Sequence, residues 1–132
     1  MKISMLFVFV TLALLLPIGA PAQKKLSQHK PVCGDLMTQG EMNRCAQDEY
    51  RKADAELNKV YQQVMAKLTP EHKAKLKTAQ LAWIQFRDAH CECEAFTFDG
   101  GSMQPLIRFT CLDSETQHRI NQLKSLAEDV SR

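Results

Sequence analysis

From Thr38 to the end of the chain, apolar side chains recur every three to four residues in three successive runs, with charges between them. In the first run Met42, Ala46, Tyr50, Ala53, Leu57, Tyr61, Val64 and Leu68 share one helical face. Arg44, Asp48, Lys52, Glu56 and Lys59 share the other face and solvate it. Thr38 and Glu41 form a T-x-x-E capping box, so the pattern predicts a helix over about 39–68. The stretch "LTPEH" then punctuates the chain. Thr69 can cap, Pro70 suits a first helical position, and Glu71 complements the positive end of a helix. A second helix therefore starts at once and runs to about Ala95. Leu76, Ala79, Trp83, Phe86 and His90 form its apolar stripe, widened by Leu81 and Ile84. So short a connection makes the two helices antiparallel neighbours.

Asp99-Gly100-Gly101 reads as a turn, with Ser102 a cap for a third helix over about 103–129. Pro105 fits only if it lies in the first turn of that helix. Phe109, Leu112, Thr116, Ile120, Leu123, Ala127 and Val130 keep the helical spacing to the end. Ser114 and Gln117 offer a second capping box that would split this run in two. No segment alternates as a strand does, so the predicted class is all-α: an up-down-up three-helix bundle. Its core is expected to hold Leu57, Tyr61, Trp83, Phe86, Phe109, Ile120 and Leu123.

The first 22 residues follow a different rule. Lys2 precedes the apolar run "ISMLFVFVTLALLLPIGA", and Ala20-Pro21-Ala22 supplies a small-x-small cleavage signal before Gln23. This is the pattern of a secretory signal peptide. An uncleaved anchor is disfavoured by Pro17, Gly19 and Pro21 at the end of a run of marginal length. No cysteine sits at the junction to carry a lipid. Residues 23–32 are polar and patternless, a disordered lead-in. The expectation is one exported domain over 33–132, periplasmic or secreted, with no membrane attachment after cleavage.

Charge narrows the partners. The chain has 17 basic and 15 acidic residues, and loss of Lys2 with the signal leaves a net charge of about +1. Neither a large net charge nor a basic block is present, so nucleic acid and membrane surfaces are not expected partners.

All five cysteines, Cys33, Cys45, Cys91, Cys93 and Cys111, follow the signal, and in an oxidising compartment they read first as disulfides. The helix order gathers all five at one pole, beside the Asp99–Ser102 turn. Pairing is not fixed by spacing, since four cysteines allow three connectivities. Cys33–Cys45 and Cys91–Cys111 are favoured because each pair is close in chain and shares an end. The "HCEC" stretch at 90–93 could instead suggest metal ligation or a Cys–His catalytic pair. Residues two apart on a helix point to nearly opposite sides, so Cys91 and Cys93 chelate poorly. Adjacent helical positions likewise do not build a nucleophile with its base. No metal and no cofactor are expected.

Three segments together resemble the lysozyme inhibitor LprI-like domain family: "TQGEMNRCAQDEYRKADAELNKVYQQVMAKL", "LKTAQLAWIQFRDAHC" and "GGSMQPLIRFTC". Cys33, Cys45, Cys91 and Cys111 match the family's recurrent cysteines. Ala53, Leu57, Asn58 and Tyr61 match its A-x-x-x-L-N-x-x-Y pattern. Gln80, Trp83, Arg87 and Asp88 match its Q-x-x-W-x-x-x-R-D, and Gly101-Ser102 its G-S loop. Cys93 is then an addition and the odd thiol. The resemblance implies an exported, non-enzymatic helical domain that binds protein, with lysozyme inhibition known for the family's namesake. A binding loop is expected at Asp99, Gly100, Gly101 and Ser102, with Arg87, His90 and Arg108 available to meet an acidic cleft. A periplasmic adaptor for another protein partner is the alternative. Animal lysozymes are usually basic, so a near-neutral net charge argues against strong electrostatic steering.

Overall fold

The computed structural model describes Cys33 and residues 38–132. The signal peptide and lead-in expected before Cys33 lie outside the described residues. Three helices account for most of the rest: α1 (Gln39–Lys67), α2 (Pro70–Ala95) and α3 (Gln104–Asp129), with a 3-10 turn at Phe96–Phe98 between the last two. They run up, down and up, with no strand among the described residues.

Local chemistry sets each start. The Thr38 hydroxyl accepts from the Glu41 amide at 3.3 Å, and the Thr38 amide donates to the Glu41 carboxylate at 3.1 Å, closing the capping box. That hydrogen bonding to Thr38 holds the Glu41 carboxyl below its ordinary range. Thr69 caps α2 by accepting from the His72 amide at 3.4 Å, and Pro70 occupies the first helical position. Helix α3 begins differently from the expectation. Met103 is the N-cap residue, without a side-chain cap, and Ser102 lies before it. Pro105 falls in the first turn, where a missing N–H costs nothing. Ser114 starts no new helix, and α3 is continuous.

Helix α3 packs closely along α1 and also against α2, whereas α1 and α2 approach each other least closely despite their two-residue connection. Adjacency in sequence therefore does not make these two the intimate pair; their contact is through long side chains.

The core has two apolar parts. The larger gathers Leu57, Val60 and Val64 of α1, Leu76 of α2, and Ile120 and Leu123 of α3. Each such side chain contributes about 1.5–3 kcal/mol on burial. Tyr61 and Trp83 are half-buried and pack against this part. The smaller lies at the cysteine end, where Cys91, Cys111 and Leu112 are covered by Tyr50 and Phe109. Between the two parts stand Arg87 and Thr116, buried and polar.

One expectation is corrected by the face that α2 turns inward. Its buried residues are Leu76, Gln80, Arg87, Cys91 and Ala95. Phe86, expected in the core, is 57% exposed, and Leu81 is exposed as well. Reading apolar types alone rotates the helix by about one residue. Arg87 carries an apolar stem under its guanidinium and can be buried when its head is satisfied. Cys91 must face Cys111, and stepping back from it by three and four residues reaches Arg87, Gln80 and Leu76.

Candidate functional site

The stapled pole is built by the two disulfides and the connection between α2 and α3. Cys33–Cys45 ties the segment before α1 onto that helix, with Cα atoms 5.6 Å apart. Cys91–Cys111 joins the last turns of α2 to α3, with Cα atoms 5.5 Å apart. Restraining a small bundle, each bridge is worth ~2–4 kcal/mol. Cys93 is the free thiol among the described residues and is exposed.

Phe98, Asp99, Gly100 and Gly101 form a type II turn. Asp99 has φ −55° and ψ 130°, Gly100 has φ +74°, and the Gly101 amide donates to the Phe98 carbonyl at 2.9 Å. Only glycine takes the positive φ at position 100 without strain. At Gly101 a Cβ would sit 3.1 Å from the Phe98 carbonyl oxygen, so the turn is closed tightly there. Gln104 donates to the Asp99 carboxylate at 2.6 Å, and Asn43 of α1 donates to the Ser102 carbonyl at 3.0 Å. The turn is thus fastened both to α3 and to α1.

The predicted site residues divide into two groups. Asp99, Gly100, Gly101 and Ser102 come together as one exposed turn. Arg108 and His90 belong to the same end. Arg108 donates to the Glu92 carboxylate at 3.0 Å and lies over the Phe109 ring, and His90 approaches Glu94 at 3.3 Å while stacking on Phe86. Arg87 does not join them. It is 6% exposed and points inward, so it is not available to a partner as part of this surface.

Arg87 is instead the centre of a buried network. It donates to Asp88 at 2.9 Å and to Thr116 at 3.4 Å, lies 3.6 Å from Asp54, and sits over the rings of Tyr50 and Trp83. Arg119 covers Trp83 as well and donates to Gln80 at 2.9 Å, so the indole meets two guanidinium groups. Among the described residues no buried side-chain nitrogen or oxygen lacks a hydrogen-bond partner. Burial pushes the Tyr50 hydroxyl above its ordinary 10.0 and the Arg119 guanidinium below its usual value. Gln80, Trp83, Arg87 and Asp88 therefore hold the helices together.

His90, Glu94 and Cys111 bring possible ligand atoms within 4.8 Å of one another. The sulfur of Cys111 is committed to Cys91, which removes the soft ligand and leaves one imidazole and one exposed carboxylate. The pole presents an exposed surface braced by two disulfides. Sequence reasoning missed part of it: Phe96, Phe98 and Met103 are exposed beside the turn. Their signal was the position of "FTF" between a helix end and Asp-Gly-Gly, where the chain has no room to bury two rings.

No solved structure gives a significant match to this chain. An uncharacterized protein of Rhizobium meliloti (strain 1021) is 40% identical over 132 aligned residues, covering 90% of this chain and 94% of the relative. The model of the family described as lysozyme inhibitor LprI matches residues 33–123, the span that contains both disulfides, the arginine network and the Gly100–Ser102 turn. The chain belongs to the lysozyme inhibitor LprI family.

Proposed function

We propose that this chain is an exported, non-enzymatic binding protein that inhibits lysozyme or a related cell-wall hydrolase through its stapled pole. Residues 1–22 serve as the export signal, and the mature chain acts in the periplasm or outside the cell. The observation that carries the reading is the family match over residues 33–123, most of the helical domain. The disulfides fit an oxidising compartment, and among the described residues no helix is long and apolar enough to cross a membrane. A glycoside hydrolase cleft is a groove flanked by two carboxyl groups. A protruding turn already fixed in shape can enter such a groove without the ordering cost of a flexible loop. Asp99, Gly100, Gly101 and Ser102 form that turn, with His90 and Arg108 at its flank.

The test is clearing of a cell-wall suspension by hen-, goose- and invertebrate-type lysozymes with the oxidised mature protein added. Slowed clearing by at least one type is expected. Unchanged clearing by all three at large molar excess overturns the reading. The exposed Phe96, Phe98 and Met103 would also serve an adaptor for another protein. Recovery from periplasm of one stoichiometric partner that is not a hydrolase would favour that alternative.

A further inference from the structure

The charges of this near-neutral chain are sorted by end. When each helix of residues 38–132 is divided at its midpoint, the stapled half carries nine acidic and five basic side chains. The opposite half carries five acidic and eight basic ones. In the stapled half Arg51, Lys52 and Arg108 pair with Asp48, Glu49 and Glu92, and buried Arg87 pairs with Asp88; each pair cancels, so the acidic excess of nine against five is left unchanged.

Helix stability explains the sorting in α1, which has Glu41 in its first turn and Lys67 in its last, but not in α2. A helix favours acids near its start and bases near its end, because its dipole is positive at the start. In α2 only Glu71 obeys. His72 and Lys73 follow at the positive end, while Glu92 and Glu94 occupy the last turn, which holds no base. The end charges of α2 work against its own dipole. That same end presents Phe96, Phe98 and Met103, apolar side chains left exposed beside a turn that is pinned on both sides. Three exposed apolar side chains gathered on one short connection make a candidate protein contact.

We infer that the stapled pole is a docking surface for a basic protein surface: Phe96, Phe98 and Met103 make the apolar contact, and the acidic rim of Glu41, Glu92, Glu94 and Asp99 steers and orients it. The inference rests on the choice of pole made under the proposed function and adds the chemistry of the partner. It also revises the expectation drawn from net charge. Steering depends on the field near the contact, and a dipolar molecule can be guided although its total charge is near zero.

The test separates field from net charge. The mature oxidised protein is compared with a charge-swapped variant carrying Glu92→Lys, Glu94→Lys, Lys73→Glu and Lys77→Glu, whose net charge is unchanged. Because the swap relieves the conflict with the helix dipole, it should fold at least as well, which circular dichroism checks. Association rates are measured with hen-type lysozyme, with cytochrome c as a basic protein that is no hydrolase, and with an acidic protein of similar size. The parent should capture the basic lysozyme at a rate that falls on the order of 10-fold between 20 and 300 mM salt. It should ignore the acidic protein, and the folded swap should associate on the order of 10-fold more slowly. Phe96→Ser with Phe98→Ser should leave association intact and hasten dissociation on the order of 10-fold.

A swap that captures or inhibits as fast as the parent overturns the inference while leaving the inhibitor reading in place. Failure of the parent to bind either basic protein also overturns it. Salt-dependent, pole-dependent capture with no loss of hen-type lysozyme activity upholds the inference, and the inhibitor reading then rests on the goose- and invertebrate-type assays.

Discussion

At the residue scale, Arg87 and Phe86 exchange the roles that their types suggest. The aromatic is on the surface and the cation is inside, satisfied by Asp88, Thr116 and Asp54 and by two ring faces. Removing one partner of such a buried set leaves the others uncompensated. Arg87→Ala should therefore cost about 2–4 kcal/mol in denaturant unfolding. Arg87→Lys should recover little of this, because an ammonium neither forks nor stacks. Phe86→Ser should stay within about 0.5 kcal/mol of the parent, as exposed positions do. Tyr50 gives the same network a pH signature. Its folded-state pKa lies above the ordinary 10.0 because burial disfavours the phenolate, so the unfolded chain releases this proton first. Stability is whole below pH 10 and falls as pH rises through the folded value. Thermal unfolding in Tyr50→Phe should lose part of that alkaline decline.

At the element scale, the chain's punctuation was legible and its helical rotation was not. Thr38 with Glu41, Thr69 with Pro70, and Asp99-Gly100-Gly101 each act through the local backbone, so spacing alone locates them. The inward face of α2 depends on which side chains find partners on other helices. Gln80 needs Arg119 and Arg87 needs Thr116, and neither partner is visible from within α2. The turn at 99–102 was readable as a candidate site because it is local, and the same punctuation marks Phe96 and Phe98 as exposed, whereas the exposure of Met103 depends on where α3 begins. The conflict between α2's charges and its dipole yields a further expectation. Glu92→Lys with Glu94→Lys should raise unfolding stability, by about 0.3–1 kcal/mol for a carboxylate removed from the last turn. Loss of the Glu92–Arg108 and Glu94–His90 contacts offsets part of that gain, so thermal midpoints should rise slightly or stay level.

At the scale of the whole molecule, the resemblance in the sequence and the bundle in three dimensions agree on where the chain is most constrained. The four cysteines of the family pattern staple one pole, and the fifth stays outside both bridges. Mass mapping of the native protein should accordingly return Cys33–Cys45 and Cys91–Cys111. A thiol reagent should label Cys93 alone, once per chain, without unfolding the protein. A count of three thiols in oxidised, folded material would contradict one pairing, and a count of five would contradict both.

The polar layer of Arg87 and Thr116, which separates the aliphatic core from the cystine core, has a consequence for how the molecule opens. Apolar cooperativity does not pass freely across a layer held by hydrogen bonds, so the two ends should behave as distinct units in native-state hydrogen exchange. With the bridges intact, amides flanking Cys91 and Cys111 should outlast those around Val64 and Leu123. Under mild reduction the order should invert, because the small cystine core has little apolar mass of its own. Uniform exchange along all three helices in both states would show instead that Arg87 couples the ends into one unit.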